Sequence, residues 1–203
     1  FSNPCNPTSL GLGREEVRRL ISSVEALVVL DEAYMDFWAQ SLLPEFQDYD
    51  NLMILRTCSK AFGGAALRLG FAVASLPLTH ALKAVKSPYN VNSFSQAAGA
   101  ALLGRKEASQ PALEKILRSR EELLAGLKEL EREFPQALHV YESCTNFAFL
   151  RMEKAEGAHA YLLGQSIAVR KFPGYLRITA GTLQENAAVL EALARFLRDA
   201  GKE

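Results

Sequence analysis

The sequence predicts an α/β domain with a mostly parallel sheet, followed by a smaller α+β domain. Short apolar runs without alternation, at residues 27–30 and 52–55, are typical of strands buried on both faces of a parallel sheet. Segments with helical spacing alternate with these strands. The polar stretch at 104–110 then interrupts the pattern. We therefore place a boundary near Gly104, which gives domains of residues 1–104 and 105–203.

The first domain begins with an irregular turn, because Pro4 and Pro7 each remove a backbone donor and restrict the preceding residue. Residues 14–23 are predicted as a helix that places Val17, Leu20 and Ile21 on one face. The later elements are a third strand at 70–74, a helix at 76–86 that Pro88 ends, and a helix that Asn92 or Ser93 caps and that runs to Leu103.

The second domain is predicted to begin with a long helix that links the two domains. Pro111 suits its first position, and apolar residues keep helical spacing as far as Phe134. Strands are expected near residues 137–141, 146–151, 168–171 and 175–179. A final helix then starts at Thr182, which has capping-box spacing to Glu185.

Composition disfavours several classes of protein. The 203 residues carry 23 basic and 23 acidic side chains, so the net charge is zero and no electrostatic footprint for nucleic acid or an anionic membrane is present. No apolar stretch is long enough to cross a bilayer, and no basic start followed by an apolar block marks a signal peptide in these residues. We expect a soluble, cytoplasmic protein, and the start at Phe1 suggests part of a longer polypeptide.

Cysteines and histidines do not predict a metal site or a disulfide framework. The three cysteines lack CxxC spacing, and the three histidines are too far apart for a helix-spaced pair. Dinucleotide and nucleotide motifs are also missing, because Gly11-Leu12-Gly13 lacks the third glycine and no Gly-Lys-Ser or Gly-Lys-Thr occurs.

Lys60 is the strongest chemical candidate, because of its neighbours. A loop lysine is usually a solvated surface residue, but Lys60 follows the strand at 52–55 closely and Arg68 comes eight residues later. Lysine can form a Schiff base, while Arg68 and the hydroxyls of Thr57 and Ser59 are groups that hold phosphate. Together they suggest an aldehyde cofactor with a phosphate tail.

Asp31 and Tyr34 can supply the other half of such a site. Pyridoxal phosphate requires a carboxylate against its pyridine nitrogen and a donor near its phenolic oxygen, and Asn6 could add a second donor. Each residue also has a structural interpretation: Asp31 could cap the next segment, Tyr34 could belong to the core, and Asn6 could serve the conformation of an Asn-Pro turn.

Taken together, six segments in order resemble the fold-type I aminotransferases, and most of all the histidinol-phosphate aminotransferase subfamily. They are Asn3-Pro-Cys-Asn-Pro-Thr8, Asp31-Glu-Ala-Tyr34, Ser59-Lys60 with Arg68, Ser87-Pro-Tyr-Asn-Val-Asn92, Thr145-Asn-Phe147 and Leu176-Arg-Ile-Thr-Ala-Gly181. The resemblance covers essentially the whole chain. It implies a partial pyridoxal-phosphate-binding large domain without its amino-terminal half, followed by the small domain.

The resemblance also implies an activity and partners. The reaction would be transamination of an amino-acid-like substrate, histidinol phosphate with 2-oxoglutarate and glutamate, as a step of histidine biosynthesis in a cytoplasmic homodimer. A decarboxylase of the threonine-phosphate type is an alternative, because such enzymes share the lysine, aspartate and arginine set. A fragment that folds without catalysis is another.

Each site residue receives a role from the resemblance. Lys60 would form the Schiff base and carry the proton, and Asp31 would contact the pyridine nitrogen. Asn6 and Tyr34 would contact the phenolic oxygen, and Asn6 would also lie near the substrate. The remaining roles are phosphate binding by Thr57, Ser59 and Arg68, and binding of the substrate's anionic end by Arg177.

Two positions depart from the family pattern. Ser9 stands where the amino-terminal turn usually has glycine, so we expect either an adjusted turn or a negative φ at this residue. Ala188 stands on the last helix where histidinol-phosphate enzymes often have a second arginine for the substrate phosphate. This second departure weakens the assignment of the substrate.

Overall fold

The computed structural model describes residues 1–201, apart from the side chain of Lys106. The chain forms two compact units. The first comprises Phe1–Asn6 and Gly11–Leu113, and the second comprises Pro7–Leu10 and Glu114–Glu203. The domain boundary near Gly104 remains a prediction, whereas the two units divide between Leu113 and Glu114.

The first unit is built on a sheet of order β1-β2-β3, with β1 at Val28–Asp31, β2 at Leu52–Thr57 and β3 at Gly70–Ala74. β1 and β2 are parallel, as predicted, and β3 is antiparallel to β2. Ser2 forms a parallel bridge with Asp31 on the other side of β1. The helices of this unit are α1 (Arg14–Ser22), α2 (Leu76–Val85), α3 (Ser93–Leu103) and the start of α4 (Lys106–Glu133).

The core of the first unit consists of the apolar residues that the strand and helix patterns place inside. α1 contributes Val17 and Ile21, which pack against side chains of β1 and β2. Leu20, predicted on the same face, is 37% exposed. It lies about 100° around the helix from Ile21, at the edge of the buried stripe. The cluster comprises Val17, Ile21, Val28, Leu30, Leu42, Leu52 and Ile54.

The second unit is an antiparallel sheet of order β4-β5-β7-β6. β4 and β7 alternate in burial, whereas Phe147–Leu150 of β5 are all buried. Side chains such as Leu150 and Ile178 belong to the same apolar core as buried residues of the helices. The elements are β4 (Leu138–Val140), β5 (Phe147–Met152), α5 (Ala155–Gly164), β6 (Arg170–Phe172), β7 (Tyr175–Thr179) and α6 (Leu183–Ala200), together with the later part of α4.

Two helix predictions are wrong. α4 begins at Lys106, so Pro111 lies inside it and not at its first position. Glu107, Ala108 and Gln110 are exposed, so this part of the helix lacks an apolar stripe, although Lys, Glu, Ala and Gln all favour helix. The sequence also did not predict α5, in which Gly157 and Gly164 lower the helix propensity. The spacing of its buried residues Ala155, Ala158 and Leu162 was the available signal.

No helix within residues 1–201 is long and apolar enough to span a membrane.

Candidate functional site

The candidate site residues of the first unit gather at one edge of its sheet. β1 and β2 are parallel, with Asp31 paired to Leu55, so their carboxyl ends meet at this edge. β3 starts there, because it is antiparallel and pairs Gly70 with Thr57. We call this the carboxyl edge. Ligands of open α/β sheets bind outside such an edge, and five predicted residues lie at or next to it: Asp31, Thr57, Ser59, Lys60 and Arg68.

Asp31 is held at the end of β1 by two backbone bonds to the amino-terminal segment, on the side of the strand away from β2. Its N–H donates to Phe1 O and its carbonyl accepts from Asn3 N–H, each at 2.9 Å. The carboxylate Oδ1 accepts from Ala33 N–H at 3.0 Å, so the capping interpretation of Asp31 is correct for this oxygen. The second carboxylate oxygen can accept a further hydrogen bond. Asp31 is half-buried, and an anionic acceptor is therefore fixed at the carboxyl edge.

Tyr34 and Lys60 are brought together, although 26 residues separate them in the sequence. Lys60 Nζ lies 5.2 Å from the centroid of the Tyr34 ring, within the range of a cation–π contact. The ring is buried, whereas Lys60 is exposed. Thus an accessible amine sits over an aromatic ring, in a position to react with a bound carbonyl compound.

The segment from Thr57 to Gly64 forms a tight turn that carries Lys60. Thr57 Oγ1 accepts from Ser59 N–H at 3.1 Å and lies 3.3 Å from Leu69 O. Gly64 N–H donates to Cys58 O at 2.8 Å, and a Cβ on Gly64 would lie only 3.0 Å from that oxygen. The turn therefore requires glycine at this close approach.

Cys58 lies two residues before Lys60 but is not a second nucleophile. Burial raises the pKa of its thiol, and the negative charge of Asp36 raises it further. A thiol with a raised pKa holds its proton and is a poor nucleophile. Cys58 therefore does not compete with Lys60 as a candidate nucleophile of this turn.

Arg68 and Asn6 are exposed. Arg68 has a φ of 52°, in the left-handed region, and its Nη1 donates to Ala65 O at 2.9 Å. Asn6 follows a turn that Asn3 anchors. The buried Asn3 amide donates to Leu12 O at 3.0 Å and accepts from Leu12 N–H at 2.7 Å. The sequence analysis did not predict that Asn3 anchors this turn, although the position of Asn3 directly before Pro4 was an available signal.

Sequence reasoning also missed a buried charge cluster next to the predicted site. Glu32 directly follows Asp31, and Arg56 directly precedes Thr57. The two side chains form an ion pair at 3.0 Å, and Arg56 also contacts Asp36. The signal was the adjacency of charged residues to two candidate site residues in the strand regions.

Arg177 belongs to the second unit. It lies on β7, paired with Phe149 of β5 and with Arg170 of β6. Its guanidinium is 4.8 Å from the centroid of the Phe147 ring, and the residue is half-buried. An aromatic face restricts the orientation of an arginine without neutralising its charge. The arrangement suits the binding of an anion.

Ser9, also in the second unit, has a φ of 63°. The expectation of a negative φ is therefore wrong, and the turn keeps the left-handed conformation that favours glycine. The buried hydroxyl lies 2.8 Å from Glu142 O, and Ser9 O accepts from Cys144 N–H at 2.8 Å. These bonds offset a backbone cost of about 1–2 kcal/mol.

A family model and a curated relative both assign the chain to one family of proteins. The model of the family "Aminotransferase class I and II" matches residues 1–193. A histidinol-phosphate aminotransferase from Clostridium kluyveri is 37% identical over 203 residues, covering 98% of this chain and 56% of the relative. The chain thus spans about half the length of the curated relatives it matches.

Solved structures share the fold. The structure of histidinol-phosphate aminotransferase from Sinorhizobium meliloti, in complex with pyridoxal-5'-phosphate, has a TM-score of 0.84 and 23% identity, covering 98% of this chain and 57% of that one. The structure of L-threonine-O-3-phosphate decarboxylase from Porphyromonas gingivalis has a TM-score of 0.83 and 26% identity, covering 98% of this chain and 63% of that one.

Proposed function

Since this chain belongs to the aminotransferase class I and II family, we propose that it supplies part of a pyridoxal-phosphate-dependent aminotransferase. The substrate is histidinol phosphate, with 2-oxoglutarate and glutamate as the oxo-acid and amino-acid pair. The observation that carries the proposal is the placement of Lys60 over Tyr34 at the sheet edge that also holds Asp31.

The residues present fit the cofactor's chemistry. Pyridoxal phosphate, when bound, supplies an electron sink for the substrate's Cα. Lys60 would hold the cofactor through its amine and move the proton at the substrate Cα. The Asp31 carboxylate would keep the pyridine nitrogen protonated, while Tyr34 and Asn6 would donate to the phenolic oxygen. Thr57, Ser59 and Arg68 would bind the phosphate, and Arg177 would bind the anionic end of the substrate.

Reduction with borohydride tests the role of Lys60. In the presence of pyridoxal phosphate, we expect borohydride to attach the cofactor covalently to the peptide that contains Lys60, and Lys60→Ala should abolish this label. Lys83→Ala is the matched control, because Lys83 is another exposed lysine, on α2. Labelling only at lysines other than Lys60 would refute the proposal.

A decarboxylase of the threonine-phosphate type is the second candidate. One observation favours it, the fold and 26% identity shared with the Porphyromonas gingivalis enzyme; Ala188, where an arginine for the substrate phosphate was expected, weakens the histidinol-phosphate assignment without favouring either enzyme. Product analysis separates the two candidates. Glutamate-dependent formation of an oxo acid supports the aminotransferase, whereas release of carbon dioxide from threonine phosphate supports the decarboxylase.

We further propose that the enzyme works as a homodimer in the cytoplasm. Support for this comes from the soluble composition and from apolar side chains of the first unit that remain exposed, such as Val85 at 82% and Phe94 at 75%. Both statements are about the whole enzyme, of which this chain spans part.

A further inference from the structure

The buried charge cluster beside the carboxyl edge joins the two segments that carry Asp31 and Lys60. Glu32 N–H donates to Leu55 O at 2.9 Å, which extends the pairing of β1 and β2 by one residue. Arg56 is the next residue along β2. The cluster therefore starts where the ladder of backbone hydrogen bonds between the two strands stops.

Arg56 is the centre of the cluster and contacts two carboxylates. Its Nη1 donates to Glu32 Oε2 at 3.0 Å, and its Nη2 donates to Asp36 Oδ1. The Glu32 side chain is fully buried, and those of Arg56 and Asp36 are 11% and 16% exposed. The planar guanidinium fixes both carboxylates in a single geometry, which a lysine cannot do.

Glu32 is satisfied at both oxygens, so it cannot turn away from Arg56. Oε2 also accepts from Ser41 Oγ at 2.5 Å, and Oε1 accepts from Leu42 N–H at 3.1 Å. The segment that follows Asp31 is thereby tied at Glu32, Asp36 and Ser41 to one side chain of β2.

Stability alone does not account for a buried cluster of this kind. Burying charges is costly, and well-packed apolar side chains of similar volume often give equal or greater stability. What the cluster provides is a fixed distance between two loops. Lys60 lies four residues after Arg56, on a short turn. The lysine side chain is long and flexible, so packing can fix the backbone of Lys60 but not its amine.

We infer that Arg56, held by Glu32 and Asp36, is a positioning residue that fixes the Lys60 turn relative to Asp31, so that one cofactor ring can meet both the amine and the carboxylate. This inference rests on the proposed function. It adds three residues, Arg56, Glu32 and Asp36, to which the proposed function assigns no contact with cofactor or substrate.

The test compares Arg56→Lys and Arg56→Met with Arg18→Met in the full chain. Arg56→Lys keeps the positive charge and loses the planar guanidinium that contacts two carboxylates at once. Arg18→Met is the matched control, because it removes an arginine of α1 that binds Glu45 in the same unit, outside the described site. Three quantities are measured: the midpoint of thermal unfolding, the dissociation constant of pyridoxal phosphate from visible absorbance, and the yield of borohydride labelling at Lys60.

We expect Arg56→Lys to unfold cooperatively, to bind pyridoxal phosphate about tenfold more weakly, and to lose labelling at Lys60 relative to Lys83. Arg56→Met should be weaker still, and Arg18→Met should match wild type in affinity and labelling. Arg56→Lys should therefore keep more cofactor affinity and more labelling at Lys60 than Arg56→Met does.

Two results would overturn the inference. One is wild-type affinity and labelling in Arg56→Lys together with a lowered unfolding midpoint. The other is loss of binding only in variants that no longer unfold cooperatively. Either assigns the cluster to stability alone. Failure of the proposed function has a different signature. In that case wild type itself would give no visible absorbance and no label at Lys60, whatever the variants do.

Discussion

In the proposed function, the two carboxylate oxygens of Asp31 have different tasks. Oδ1 accepts from Ala33 N–H, and an asparagine side-chain oxygen can keep that bond. We therefore expect Asp31→Asn to keep the unfolding midpoint of wild type. In the full-length enzyme to which we propose this chain belongs, the amide cannot hold the cofactor's ring nitrogen in its protonated form, so transaminase turnover should fall by roughly a hundredfold or more.

Steady-state assays and thermal unfolding measure the two effects. Asp48→Asn, which alters an exposed aspartate at the end of a 3-10 segment of the same unit, is the control and should leave turnover unchanged. Near-normal turnover in Asp31→Asn would instead give Asp31 a purely structural role.

At this scale the sequence suggests candidate site residues more readily than the residues that hold them in place. Asp31, Thr57 and Lys60 could be proposed because their residue types, placed just after buried strands, have few other combined uses. Glu32 and Arg56 were not assigned, because their pairing runs between strands 24 residues apart and leaves no pattern within either segment.

At the scale of elements, the pattern of apolar residues in the sequence determined which elements could be predicted. β1, β2 and β3 lie close to the predicted positions because each is a short apolar run with a sharp end. α5 has alanines at most of its buried positions, so its apolar face carries little contrast with the rest of the helix. Hydrophobic periodicity identifies an element only where large side chains mark the buried face.

Glu131 links α4 to β4 and makes that link sensitive to pH. Its carboxylate accepts from Lys128 Nζ at 2.7 Å and from Val140 N–H at 3.2 Å, and it contacts His139 Nδ1 at 2.7 Å. Burial favours the neutral form, but these hydrogen bonds outweigh it, so the pKa of Glu131 lies below its ordinary value near 4.5.

A lowered pKa in the folded state means that the unfolded chain binds more protons as the pH falls. The stabilisation is therefore complete above pH 4.5 and is lost as the pH falls through the folded pKa. Urea unfolding at pH 6 and at lower pH should show a smaller loss of stability in Glu131→Gln than in wild type. Glu153→Gln, at an exposed glutamate of the same unit, is the control. Equal pH dependence in Glu131→Gln and wild type would contradict this role.

At the scale of the whole molecule, the two units differ in how completely they cover their apolar residues. The second unit closes a core of seventeen buried side chains. In the first unit, α2 has no buried residue, and β3 lies at the end of its sheet, where within residues 1–201 it pairs only with β2. An uncovered edge strand carries free backbone donors and acceptors. This unit therefore presents both an apolar surface and a sheet edge to a partner.

We expect the chain to self-associate at micromolar concentration, as a homodimer or a larger species. Val85 on α2 is 82% exposed, and burial of such side chains against a second copy is favourable, while replacing one by a charge leaves the folded unit intact. Val85→Asp should therefore lower the mass seen by light scattering. Leu163→Asp, at a residue of α5 that is 59% exposed, should not. A monodisperse species near 22.3 kDa for wild type across that range would contradict the expectation. It would mean that the exposed face of α2 and the edge of β3 are stable in water without a second copy.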